Sequence, residues 1–238
     1  MTASPQSGPA HHVALPAILA GILAGSGASA FDSPLGLAVG FHLYLLVLAA
    51  ALLAAGPERR RNFGTANRIT LLRGALTAIL AAAAAAGSAL TPDHLWLAFG
   101  CAVIALALDG VDGWFARRTG RADDFGARFD MEVDALLILV LSVLLWSSDR
   151  AGLWVLSAGL LRYAFILAGR MQPWIARPLP PSRRRQAACA GGVALLAAAL
   201  VPALPTGLAL ASAGTATALL AGSFAIDLLW LARTARQD

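Results

Sequence analysis

The 238-residue chain contains no lysine, few charged residues of either sign and only two cysteines. Charged residues make up 13% of the sequence and hydrophobic residues 58%, which is more apolar surface than a soluble domain can bury. Cys101 and Cys189 both lie inside apolar runs, so we expect packing roles for them and neither a disulfide nor a metal pair. The net charge of +5 comes from arginines between apolar runs, a pattern that indicates membrane topology and not a nucleic-acid surface.

Eight apolar runs predict an all-α, polytopic membrane protein. Each has roughly the length that a helix needs to cross about 30 Å of hydrocarbon, and lipid offers the backbone no partner outside a helix. The predicted spans are 13–30, 35–55, 67–86, 95–117, 126–146, 151–169, 186–202 and 206–232. The first run ends in Ala28-Ser29-Ala30, like a signal-peptide cleavage site, but it lacks the basic segment that such a peptide needs. We therefore expect a retained helix.

The arginines predict the orientation in the membrane. Segments 56–68, 117–128, 170–185 and 233–236 are basic and fall on one side of the predicted bundle, whereas Arg150 falls on the other. By the positive-inside rule, both termini and the polar segment between the fourth and fifth spans face the cytoplasm. This topology predicts an integral protein of a bacterial inner membrane.

Two pairs of carboxylates flank that polar segment. Asp109 and Asp112 are three residues apart, and Asp130 and Asp134 are four apart, so each pair lies on one face of a helix. A tight hairpin of the two helices would bring the pairs together. Like charges at short range raise one another's pKa or demand cations, and the simpler answer here is a cation. An all-oxygen set without His or Cys favours one or two Mg²⁺ or Mn²⁺ ions over Zn²⁺.

The depth of these carboxylates limits the function. Asp109 lies about 12 Å of helix before Arg117, and Asp134 lies about 9 Å after Arg128. Ionisable groups below the membrane surface are costly and indicate function, here an enzyme that acts on a lipid head group. The alternative is a cation transporter that uses intramembrane carboxylates, although the acids lie near one interface and no sequence repeat is visible.

The spacing D-x2-D-G-x2-A-R-x8-G-x3-D-x3-D resembles the signature of the CDP-alcohol phosphotransferase family. It is formed here by Asp109, Asp112, Gly113, Ala116, Arg117, Gly126, Asp130 and Asp134. Upstream, Asn67, Thr70 and Arg73 resemble the N-x2-T-x2-R opening of the family's first core helix; an N-cap with arginines that reach the interface is the alternative. The resemblance implies a six-helix catalytic core at 67–238, a juxtamembrane segment at 56–66, and two extra transmembrane helices in 1–55.

The resemblance also implies a reaction, which is metal-dependent transfer of a phosphatidyl group from a CDP-linked lipid such as CDP-diacylglycerol to a small alcohol, with release of CMP, in phospholipid biosynthesis. Two Mg²⁺ or Mn²⁺ ions would be held by Asp109, Asp112, Asp130 and Asp134. Asp134 would also be the catalytic base. The CDP-lipid would be received by Asn67, Thr70, Gly113, Ala116 and Arg117. A further nucleotide contact of the family aligns with Asp123, which departs from the usual small hydroxyl residue, and a homodimer is implied.

The acceptor alcohol is the open part of this prediction. Arg162 and Arg183 are the candidates for binding it, because a guanidinium group suits phosphate oxygens. Glycerol 3-phosphate is the first acceptor to consider, and inositol phosphate, serine and diacylglycerol stay open. An arginine inside the membrane needs an anionic partner, and Asp227 is a candidate for that role. Head-group anchoring is the alternative for the 183–185 run, and Glu132 is expected to be solvated or ion-paired.

Overall fold

The computed structural model describes the backbone of residues 11–61, 64–119 and 124–235, and the side chains of residues 14–53, 64–110 and 125–235. Its eight α-helices are α1 (His11–Ser29), α2 (Pro34–Arg61), α3 (Thr65–Ala86), α4 (Pro92–Thr119), α5 (Asp124–Ser147), α6 (Leu156–Met171), α7 (Arg183–Leu200) and α8 (Thr206–Ala235). Short 3₁₀ turns follow α3 and precede α6. The described residues contain no β-strand, which confirms the all-α prediction.

Five of the described helices contain a stretch that is long and apolar enough to cross a membrane. They are the stretches Pro34–Leu53, Thr65–Ala89, Pro92–Gly110, Leu153–Met171 and Thr206–Ala235. The apolar part of α1 is shorter, α5 carries three acidic residues in the stretch from Asp130 to Asp134, and α7 opens with three arginines. The chain is an integral membrane protein, and membrane crossing by α1, α5 and α7 stays a prediction.

Proline and hydroxyl side chains fix the starts of two helices. Both α2 and α4 begin at a proline, whose fixed φ suits the first helical turn and which has no N–H to leave unpaired. Before α4, the hydroxyl oxygen of Thr91 accepts a hydrogen bond from the backbone N–H of His94 at 3.3 Å. This bond satisfies one of the free donors at the helix start.

The centre of the bundle is α3, which packs against α1, α2, α4 and α5. Most of its residues are buried, and six successive alanines at 81–86 form its second half. Alanine has the highest helix propensity, and its small side chain lets neighbouring helices approach closely. On the other side of the bundle, α7 packs against α8, α4 and α5, whereas α6 packs against α5 and α8.

The predicted tight hairpin of α4 and α5 is wrong for the described residues. These two helices do not pack against each other there, and each packs instead against α3 and α7. A Cβ at Gly126 would lie 2.9 Å from Asn67 Oδ1, so this glycine lets α5 approach α3 closely. The spacing of the acids predicted their helical faces but carried no information about the packing of both helices against α3.

The N-terminal helices α1 and α2 pack directly on α3. Gly36 and Gly40 lie four residues apart on the face of α2 that meets α3. A Cβ at these positions would lie 2.6 Å from the carbonyl oxygen of Ala82 and 2.8 Å from that of Ala78. Small residues at this spacing let two helix backbones approach closely. The contact attaches both N-terminal helices to the bundle.

Replacement of Gly40 by leucine tests this contact. We expect Gly40→Leu to lower the stability of the purified protein by about 1–3 kcal/mol, because the new side chain has to displace the backbone of α3. The matched control is Gly25→Leu in α1, where an added Cβ meets nothing within 4 Å. Thermal unfolding in detergent measures both, and an equal loss in the two variants would contradict the packing described here.

Candidate active site

Three carboxylates from two helices converge on one arginine from a third. Arg73 lies on α3 with only 1% of its side chain exposed. Its Nη1 lies 3.2 Å from Oδ1 of Asp109 on α4 and also pairs with Asp130 on α5, while its Nη2 pairs with Asp134. The site is therefore built where α4 and α5 each pack against α3.

These carboxylates form a set of donors that fits a divalent cation. Asp109, Asp130 and Asp134 each offer an oxygen atom, and these atoms lie within 4.8 Å of one another. The three side chains are between 20% and 33% exposed, so an ion can reach them. Oxygen-only ligands suit Mg²⁺ or Mn²⁺. Asp112 belongs to α4, but its side chain lies outside the described residues.

Two of the predicted nucleotide residues lie on α3 beside Arg73. Asn67 and Thr70 are both buried, and the Thr70 hydroxyl donates to the carbonyl oxygen of Ala66 at 3.2 Å. Because α3 begins at Thr65 with Gly64 as its N-cap, Asn67 is inside the helix and the N-cap interpretation is wrong. Arg73 is buried and does not reach the membrane interface, whereas Arg68 is exposed.

The other residues predicted to bind the nucleotide lie in parts of the chain whose side chains are not described. Gly113, Ala116 and Arg117 lie in the helical backbone of α4, but their side chains are outside the described part of the chain. Asp123 lies outside the described residues altogether.

A cavity of about 700 Å³ opens beside Asp130 and Asp134, between α5, α6, α7 and α8. Arg162, one of the two candidate acceptor residues, lines this cavity. Arg183 is exposed and is not among the lining residues, whereas Arg185, two residues further along α7, lines the cavity. The sequence missed Arg185 because three consecutive arginines point in directions that depend on where the helix starts.

The ion pairs around the cavity differ from the one predicted. Arg162 pairs with Glu132 on α5, in agreement with the expectation that Glu132 is solvated or ion-paired. Asp227, the candidate partner for Arg162, pairs instead with Arg184 and lies 3.6 Å from Arg185. Counting residues predicts how deep these side chains lie in the membrane but not which side of the helix they occupy.

Glu132 also borders a second cavity of about 550 Å³, between α2, α5 and α6. This space is mainly apolar, with Arg128 and Tyr163 as its other polar side chains. The Arg162–Glu132 pair therefore stands between the two cavities.

Cys189 is a contact of the site that the sequence did not suggest. Its Sγ lies 3.7 Å from Oδ2 of Asp134 and donates to it. Cys101 is buried in the apolar core, and both thiols are free. The expectation that the two cysteines form no disulfide is confirmed.

The fold and the site together define a class, that of helical membrane proteins with a carboxylate cluster open to a cavity that also contains arginine side chains. The sequence profile of the CDP-alcohol phosphatidyltransferases matches residues 63–229, more than two thirds of the chain. The chain therefore belongs to the CDP-alcohol phosphatidyltransferase family, whose members are transferases of phospholipid biosynthesis that act on CDP-linked substrates and alcohols in membranes and use divalent metals. No curated protein and no solved structure matches the chain. The match begins after α2.

Loss of a single carboxylate tests whether this cluster binds metal. We expect Asp130→Asn to weaken Mn²⁺ binding by at least about tenfold, because it removes one charged oxygen ligand. Asp93→Asn, in the first turn of α4 at its other end, is the control and should leave Mn²⁺ binding unchanged. Electron paramagnetic resonance of free Mn²⁺ measures both, and equal affinities for the two variants would argue against the cluster as the metal site.

Proposed function

We propose that this transferase is metal-dependent, moves a phosphatidyl group from CDP-diacylglycerol to a small phosphorylated alcohol, and releases CMP. One observation carries the proposal. Asp130 and Asp134 of the acidic cluster line the same cavity as Arg162 and Arg185. This shared cavity supports a site for attack on phosphorus next to a site for an anionic acceptor.

In this reaction Asp134 is the catalytic base. It accepts the proton of the acceptor hydroxyl, the acceptor oxygen bonds to the lipid-linked phosphorus, and the bond from that phosphorus to the CMP oxygen breaks. When bound, two divalent cations held by Asp109, Asp112, Asp130 and Asp134 would neutralise charge on the diphosphate and on the leaving CMP. The position of Asp134 on the cavity wall supports its role, because a base must lie within reach of the proton it takes.

The nucleotide is assigned to the α3–α4 side of the site. Asn67 and Thr70 on α3, with Gly113, Ala116 and Arg117 on α4, receive the CDP group. The packing of α3 against α4 supports this assignment, because it places the two sets on neighbouring helices. The arginine distribution of the sequence supports a site that opens to the cytoplasm.

The acceptor is assigned to Arg162 and Arg185. Each of these arginines already has an acidic neighbour, Glu132 for Arg162 and Asp227 for Arg185. A phosphate dianion offers a guanidinium group stronger, charge-assisted hydrogen bonds and would share or replace these contacts. This chemistry favours glycerol 3-phosphate or inositol phosphate over diacylglycerol, which carries no charge.

Replacement of Asp134 by asparagine tests its role as the catalytic base. We expect Asp134→Asn to lower CMP release from CDP-diacylglycerol by about 10²-fold or more, since a general base contributes about 10²–10⁴-fold to a rate. The assay uses purified protein with Mg²⁺ or Mn²⁺ and each candidate acceptor in turn, with Asp93→Asn as the control. Full activity of a folded Asp134→Asn variant would remove Asp134 from its proposed role.

Two neighbouring arginines on α7 form a matched test of the acceptor site. We expect Arg185→Gln to raise the KM for glycerol 3-phosphate by about tenfold or more, because a charge-assisted hydrogen bond contributes about 1.5–3 kcal/mol. The KM for CDP-diacylglycerol should not change. Arg183→Gln removes an exposed arginine and should leave both values unchanged. The opposite pattern would assign the acceptor to Arg183.

A further inference from the structure

The most buried charge in the described part of the chain is that of Arg73. Its side chain is 1% exposed, whereas the three carboxylates that it contacts are 20–33% exposed. The guanidinium group therefore lies beneath the acidic cluster, on the side away from solvent. Its Nε has no hydrogen-bond partner within the described residues. Charge on the carboxylates, and not a complete set of hydrogen bonds, therefore fixes its position.

A permanent positive charge at this position changes the energetics of the cluster. Three carboxylates whose oxygens lie within 4.8 Å repel one another strongly when no cation lies among them. An arginine stays protonated under all ordinary conditions, so Arg73 offsets one of these three charges at all times. Removal of one partner from a buried set of ion pairs is destabilising, because the remaining charges lose their compensation.

Arg73 contacts the same three carboxylates that would bind a metal. Its ion pairs are made to Oδ1 of Asp109, Asp130 and Asp134. A divalent cation bound by these carboxylates would lie close to the guanidinium group and would be repelled by its charge. Arginine and metal therefore act against each other at this cluster.

We propose that Arg73 is an internal counterion of the acidic site, which holds the carboxylates of α4 and α5 together in the metal-free protein and weakens the binding of divalent cations. The inference rests on the proposed function, because it takes the acidic cluster as the metal site. Arg73 is a positioning residue here, since it acts through the carboxylates.

The test compares Arg73→Gln with a control at Arg150, a half-buried arginine. Arg150→Gln removes a guanidinium group that donates to the carbonyl oxygens of Ala199 and Val201, away from the acidic cluster. We expect Arg73→Gln to bind Mn²⁺ about tenfold more tightly than the unchanged protein, because a repulsive charge is lost. We also expect its metal-free Tm to fall and the rise in Tm on Mn²⁺ addition to increase. Arg150→Gln should lower Tm with no change in Mn²⁺ affinity.

A second variant separates the effect of the positive charge of Arg73 from the effect of the shape of its side chain. Arg73→Lys keeps the charge and should keep an Mn²⁺ affinity close to that of the unchanged protein. A gain in Arg73→Lys equal to that in Arg73→Gln, or no gain in Arg73→Gln, would overturn the inference. If Arg73→Gln is recovered unfolded, Mn²⁺ present during purification must rescue it, and failure of rescue contradicts the inference. Absence of Mn²⁺ binding in the unchanged protein would instead overturn the metal site, and with it the inference.

Discussion

The contact between one buried guanidinium group and three carboxylates is the interaction on which the site depends. Arg73 comes from α3, Asp109 from α4, and Asp130 and Asp134 from α5. Within the described residues, α4 and α5 do not pack against each other. The acidic residues of these two helices therefore meet beside α3, and Arg73 of α3 supplies a positive charge that compensates part of their negative charge in an apolar environment.

The sequence predicted the members of the site better than their contacts. The intervals between Asp109 and Asp112 and between Asp130 and Asp134 place each pair on one helical face, and this follows from helix geometry alone. The packing of α4 and α5 against α3 could not be predicted, because helix packing depends on contacts between residues far apart in the chain. Arg73 could be interpreted as an arginine at the membrane interface until its burial became visible.

The ion pairs of the arginines near the cavity also could not be predicted from the sequence. Depth in the membrane follows from counting residues, and on that basis Arg162 was predicted to need an anionic partner. The choice between Asp227 and Glu132 depends on the rotation of α5, α6 and α8 about their axes, which the sequence does not specify. The choice between Arg183 and Arg185 depends on the residue at which α7 begins. The two N-terminal helices were predicted as additions to the core, and their close contact through Gly36 and Gly40 required knowledge of the opposing backbone.

The helices that carry the proposed nucleotide residues and the proposed acceptor residues are packed into the bundle to different extents. On the proposed nucleotide side, α3 contacts four other helices, so any displacement of Asn67 or Thr70 requires several interfaces to rearrange together. On the proposed acceptor side, α6 packs against only α5 and α8 among the described helices, and only Ala158 and Gly159 of α6 are buried. A Cβ at Gly159 would lie 2.5 Å from the Cα of Leu139 on α5. The spacing between Arg162 and the carboxylates of α5 therefore depends on a residue that has no side chain.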